Sequence, residues 1–116
     1  MKAHIYNWAT VESDNPVTGL LRRKIFGDRA MVAQIHLDMG CIVNPHSHPS
    51  EQISIVLSGK QRWWLDDDGH EFIASAGDIL VLPGGCRHGV ETLEDSDLID
   101  ILSPPGPMGV DSQSSG

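Results

Sequence analysis

Residues 40–59 read GCIVNPHSHPSEQISIVLSG, and residues 77–88 read GDILVLPGGCRH. His46 and His48 are two apart, so on an extended chain both imidazoles project to one face. Gln52 shares their parity and opens the next apolar run. His88 follows the turn Pro83-Gly84-Gly85, which can bring the chain back to the same place. Three imidazoles and an amide converging on one point are what a metal ion needs. A histidine pair of this kind alone is a weak signal; the wider spacing makes it strong. In the first block Gly40 is followed by five residues, His46, one residue, His48, three residues, Gln52, six residues and Gly59. In the second, Gly77 is followed by five residues, Pro83, one residue, Gly85, two residues and His88.

Around these blocks the chain is strand-like nearly throughout. Alternating or apolar runs at 3–9, 18–26, 30–38, 41–43, 51–58, 60–66, 70–74, 78–82, 88–93 and 97–102 lie between turn residues such as Asp14-Asn15-Pro16, Gly59, Asp67-Asp68-Gly69 and Ala76-Gly77-Asp78. No ten-residue helix is predicted, and many short strands with tight turns indicate a sandwich or barrel. Residues 104–116, PPGPMGVDSQSSG, cannot continue a ladder and have little to bury. The expectation is a flexible C-terminal tail; a lid over a pocket, or a segment ordered against a partner subunit, are the alternatives.

The two spaced blocks closely resemble the signature motifs of the cupin family. The specific motifs cover residues 40–88, and the general pattern covers 19–105. The resemblance implies an all-β fold, a double-stranded β-helix or jelly-roll cupin barrel. Residues 1–103 would form the domain, with one divalent metal ion at the mouth held by His46, His48, Gln52 and His88. The family usually has Glu where this chain has Gln52. Glu51 is disfavoured as the ligand by spacing and by parity, since it would face away with Ile53, Ile55 and Leu57. Three neutral imidazoles and an amide oxygen leave the full charge on the metal, which leans toward Lewis-acid rather than oxygen chemistry. Zn, Ni, Fe or Mn would suit such donors.

A narrower resemblance concerns HSHPSEQISIVLSG (46–59) and the ending LIDILSPP (98–105). They are similar to the single-domain, KdgF-like cupins of pectin and alginate breakdown, which open 4,5-unsaturated uronates to linear keto sugars. It implies a catalytic role for Asp100. By its own setting, among Leu98, Ile99, Ile101 and Leu102, Asp100 is either a desolvated carboxyl of raised pKa, suited to acid–base work, or an exposed or salt-bridged strand residue. Relatives often carry an Arg shortly after Ser-Pro-Pro, whereas this chain continues Gly106-Pro107-Met108. Arg23 is the candidate replacement cation for a substrate carboxylate. Arg22 and Arg23 face opposite sides of their strand, so one can point inward, and a surface-facing Arg23 is the bland alternative. Gln34 and His36 alternate with Met31, Ala33, Ile35 and Leu37, and line either the cavity or the outer face. Of the adjacent Trp63 and Trp64, one faces the core.

The 16 acidic and 8 basic residues give a formal charge of −8, which argues against nucleic-acid binding. Cys41 and Cys86 are too few for a disulfide scaffold. No stretch approaches the roughly 18 apolar residues of a membrane span, and no signal-peptide pattern is read at the N-terminus. These features predict a cytoplasmic protein with no membrane partner. Ile53, Ile55 and Leu57, opposite the ligands, would pack on a second layer or across a subunit boundary, hence an expected homodimer. The leading functional reading is metal-assisted isomerisation or ring opening of a small sugar acid. A metal-dependent dioxygenase, a polyketide-type cyclase and a non-catalytic ligand-binding cupin are the alternatives.

Overall fold

The computed structural model describes residues 2–65 and 69–112. Eight strands account for most of it: β1 (Ser13–Asp14), β2 (Leu20–Phe26), β3 (Met31–Leu37), β4 (Ile42–His46), β5 (Glu51–Leu65), β6 (His70–Ser75), β7 (Ile79–Leu82) and β8 (His88–Ser103). Every pairing is antiparallel. Among the described residues there is no α-helix, only two 3₁₀ turns, Trp8–Thr10 and Val110–Ser112. No helix among them is long and apolar enough to cross a membrane.

The long strands β5 and β8 pair along nearly their whole length and belong to both layers. The first half of β5 and the second half of β8 carry β7 and β3, with β2 and β1 beyond β3. The other halves carry β6 and β4. This is the jelly-roll barrel, an all-β fold as expected.

The sequence breaks predicted at Gly59 and after residue 93 are bends within continuous strands. The β5–β8 register shifts between Val56 and Gln61. Gly59 has φ +89°, and a Cβ there would overlap Ser96 and the Asp95 carbonyl. A glycine is therefore required where the two strands turn the barrel corner together. The predicted strand at 3–9 does not form. Instead Asn7 caps the Trp8–Thr10 turn, its Oδ1 accepting from Ala9 N at 2.9 Å, a local bond that competes with extended pairing. The end of the 60–66 run, Asp66, and the Asp67-Asp68 turn lie outside the described residues.

Alternation decides what fills the barrel. Met31, Ala33, Ile35 and Leu37 point inward from β3, with Val56, Trp63, Leu80, Leu82, Leu98 and Leu102 from neighbouring strands. Each such large side chain stabilises the fold by about 1.5–3 kcal/mol. Trp64 faces outward, and its Nε1 donates to Glu71. Ile53, Ile55 and Leu57 lie on the outer face beside Ile79 and Val81, and Leu57, Ile79 and Val81 are exposed. Of the two placements expected for them, packing on a second layer of the same chain is not found among the described residues.

The C-terminal segment corrects an expectation. Residues 104–112 are not a loose tail but a strap across the barrel mouth. Ser50 Oγ donates to the Pro104 carbonyl, and Met108 and Val110 are buried. Two apolar side chains in a Pro/Gly-rich stretch suffice, because the open barrel end gives them a place to leave water. Residues 113–116 lie outside the described residues.

Candidate metal centre

Three elements meet at the mouth. His46 ends β4, and His48 follows it in the loop to β5. His88 opens β8 directly opposite His46. Gly85 N donates to the His48 carbonyl at 2.9 Å, which docks the Pro83-Gly84-Gly85 turn on that loop. One ring nitrogen from each histidine lies within 4.8 Å of those of the other two. Ring centroids are 4.5 Å apart for His46–His88 and 5.1 Å for His48–His88.

The backbone sets the tautomers. Nδ1–H of His46 donates to the Asn44 carbonyl (2.9 Å), that of His48 to Ser50 (3.0 Å) and that of His88 to Cys86 (3.0 Å). A carbonyl can only accept, so each Nδ1 carries a proton and each Nε2 is turned toward the centre, the arrangement that orients metal-binding imidazoles. Burial, foremost, holds His46 below the usual imidazole range and pushes His88 down to about 4. Both rings are therefore neutral and ligand-competent at pH 7.

Gln52 lies 2.9 Å from this set, Oε1 to His48 Nε2, while its Nε2 donates to Ser54 Oγ at 2.9 Å. His48 Nε2 and Gln52 Oε1 are both metal-ligand atoms, close enough to share one cation. His88 Nε2 is buried with no hydrogen-bond partner. A buried acceptor without a partner costs about 1–3 kcal/mol, and a cation at the convergence removes that cost. The donor set thus fits a divalent ion. Glu51 is exposed and faces outward.

Beyond Gln52 the chain continues inward. Ser54 Oγ donates to Asp100 Oδ1 at 2.7 Å. Asp100 is buried, and burial raises its carboxyl to about 6 despite the Ser54 bond. His48, Gln52, Ser54 and Asp100 form one connected line, and a cavity touches His46, Gln52, His88 and Asp100 along with Trp63 and Arg22.

Three expected substrate-binding residues are elsewhere. Arg23 faces away from the cavity, its Nε donating to the Val11 carbonyl at 3.2 Å. Gln34 and His36 lie on the outer face of β3, where His36 bridges Asp97 (2.9 Å) and Asp38 (3.1 Å). The inward arginine is Arg22, in phase with buried Leu20. The motif LLRRKIF is apolar in both phases, so parity alone did not separate the two arginines. Ser54 carried a readable signal, since it shares parity with Gln52. Asp14 and Asp111, the partners of Arg22, carried none.

This arrangement identifies the class: the chain belongs to the cupin family, whose cupin domain matches residues 33–101. Among solved structures it resembles an RmlC-like cupin from Shewanella frigidimarina NCIMB 400, at 28% identity and TM-score 0.81 over 90% of this chain and 93% of that one. It also resembles KdgF from Halomonas sp., at 27% identity and TM-score 0.82 over 90% and 96%. Oxalate decarboxylase from Bacillus subtilis shares the fold at 18% identity and TM-score 0.73, but this chain spans 31% of its length. No curated protein matches the sequence.

Proposed function

We propose that the protein is a metal-dependent isomerase that opens the ring of a small sugar acid of the 4,5-unsaturated uronate type. The observation that carries this reading is the buried Asp100 carboxyl, linked through Ser54 to a side chain of the metal centre and facing the same cavity. The likeness to KdgF supports it.

His46, His48, His88 and Gln52 would hold the ion. A divalent cation there supplies positive charge to oxygen atoms that gain negative charge as the ring opens. Asp100 moves the proton. It takes the anomeric hydroxyl proton as the ring C–O bond breaks and an aldehyde forms. It then delivers that proton to the double-bond carbon away from the former ring oxygen, and the enolate on that oxygen becomes a ketone. The reaction is an isomerisation and needs no oxidant or reductant. A carboxyl near pKa 6 both accepts and returns a proton close to neutral pH. Ser54 holds its orientation, and the apolar wall of Leu98, Val90 and Trp63 limits water.

The test is loss of ultraviolet absorbance of an unsaturated monouronate supplied to metal-loaded protein. Asp100→Ala is expected to be slower by about 100-fold or more. Equal rates in the two proteins would remove the role of Asp100, and no turnover by the metal-loaded wild type would remove the substrate class.

A further inference from the structure

We infer that Arg22 is the receptor for the substrate carboxylate, and that Asp111 of the C-terminal strap occupies this receptor as a built-in competitor. The inference rests on the sugar-acid reading above, and it names the residue that recognises the acid.

Arg22 lies in β2 with its side chain almost wholly buried, against the same cavity as His46, Gln52, His88 and Asp100. A buried guanidinium must be paired, and here two carboxylates share it. Asp14 is its cross-strand register partner and takes one edge, Nε to Oδ1 at 3.0 Å and Nη2 to Oδ2 at 2.8 Å. Asp111 takes the other edge, Nη2 to Oδ1 at 2.6 Å and Nη1 to Oδ2 at 3.2 Å.

The two partners differ in how they are held. Asp14 comes from a paired strand. Asp111 comes from the strap, which is fixed by Ser50 at Pro104 and by the burial of Met108 and Val110. One guanidinium against two carboxylates leaves one negative charge in excess. Exchanging Asp111 for another carboxylate changes neither the charge nor the two-bond geometry at Arg22.

Space points the same way. With the strap in place the cavity holds about 50 Å³, whereas small-molecule sites begin at about 300 Å³. A six-carbon acid enters only when the strap yields. Met108 and Val110, which wall the cavity, then leave with Asp111. The strap also reaches the metal centre: Gly109, at φ +80°, sits so close to the His46 ring that a Cβ would overlap it. One displacement therefore uncovers both the cation at Arg22 and the ligand face at His46.

The experiment is calorimetric titration of metal-loaded protein with galacturonate, a saturated acid that lacks the ring double bond and so cannot be converted to a keto product, and with its uncharged methyl ester. Asp111→Asn is expected to bind the acid about tenfold tighter, the scale of one charge-assisted contact, with the ester unchanged. Arg22→Lys keeps the charge but loses the fork, and is expected to weaken the acid about tenfold while leaving the ester unchanged. The inference is overturned if Asp111→Asn leaves acid binding unchanged or weaker, or if both variants move acid and ester alike, as a purely structural latch would. Asp111→Asn decides the matter even if the Arg22 variant does not fold. Tighter acid binding in Asp111→Asn without turnover of the unsaturated acid supports the receptor and removes the reaction. Turnover with unaltered acid affinity in Asp111→Asn does the reverse.

Discussion

Strands β5 and β8 bury two polar clusters, one at the barrel corner and one at the mouth, and the two are satisfied in different ways. At the corner, Gln61 Nε2 donates to Ser96 Oγ (2.7 Å), Ser96 Oγ donates to the Glu94 carbonyl (2.7 Å), and Trp63 Nε1 reaches Gln61 Oε1 at 3.4 Å. Every member is neutral, and each donor atom has an acceptor. The one unmatched atom nearby is the Thr92 hydroxyl, a rotor that both donates and accepts. At the mouth, the line from His48 through Gln52 and Ser54 ends on a buried carboxyl, while the unpartnered His88 Nε2 lies in the same histidine cluster. At the corner only the Thr92 hydroxyl is left over, and it is a neutral rotor. At the mouth the leftover atom is a ligand nitrogen in a group that could hold a cation, which is how a binding site differs from a strut built on the same strands.

The largest expected difference between the clusters is in metal binding. Replacing His88 by Ala removes a ligand and should lower metal affinity by more than about 100-fold, beyond what losing an outer partner costs. Elemental analysis after dialysis, one ion per wild-type chain against nearly none, checks it. Retention of the ion by His88→Ala would erase the distinction between mouth and corner.

The second contrast is charge. Asp100 has a carboxyl raised to about 6, against 3.8 ordinarily. Between those values the folded protein holds the proton that the unfolded chain has lost, so stability falls as pH rises from about 4 to about 6 and is level above. That span corresponds to about 3 kcal/mol. In metal-stripped protein Asp100→Asn should therefore be more stable than wild type by up to about 3 kcal/mol at pH 7, with the gain vanishing near pH 3.5. Urea melts at the two pH values would show this, and a gain of equal size at both would contradict the buried-carboxyl account.

The smallest effect belongs to the corner. Gln61→Ala leaves Trp63 Nε1 without its acceptor and opens a void, and should cost about 2 kcal/mol. Metal affinity should stay within a factor of two of wild type, as expected for sites without shared partners. Chemical denaturation alongside a metal titration sharpens the comparison: a large change in affinity would mean that the clusters are coupled through β5.

How much was readable varies by residue. The common face of His46 and His48, with Gln52 in phase, follows from parity, because two-residue periodicity is a local property of an extended chain; the place of His88 beside them is what the resemblance to the second cupin motif implied. Glu51 was set aside on the same ground, and it faces outward. Parity failed at β2 because Leu20, Leu21, Ile25 and Phe26 make both phases apolar, so Arg23 was favoured over Arg22. It failed at β3 for a different reason. Gln34 and His36 do form the polar phase, but alternation cannot say whether a polar phase faces a cavity or solvent. The breaks read at Gly59 and after residue 93 were real signals of bending, which local turn chemistry cannot tell from chain reversal.

The sequence by itself determined the strand-rich pattern and the shared face of His46, His48 and Gln52, since spacing within a motif holds wherever the rest of the chain goes; the closed barrel, and His88 joining the other three, were what the resemblance to the cupin motifs implied. Only the tertiary structure decided that Arg22 is enclosed, that Asp14 and Asp111 meet it, and that Met108 and Val110 close the mouth. The physical reason is range. Asp111 and Arg22 are 89 positions apart along the chain, and nothing in either neighbourhood records the other. Their meeting depends on the barrel first creating an open end that buried side chains can fill and a desolvated cation that a carboxylate must neutralise.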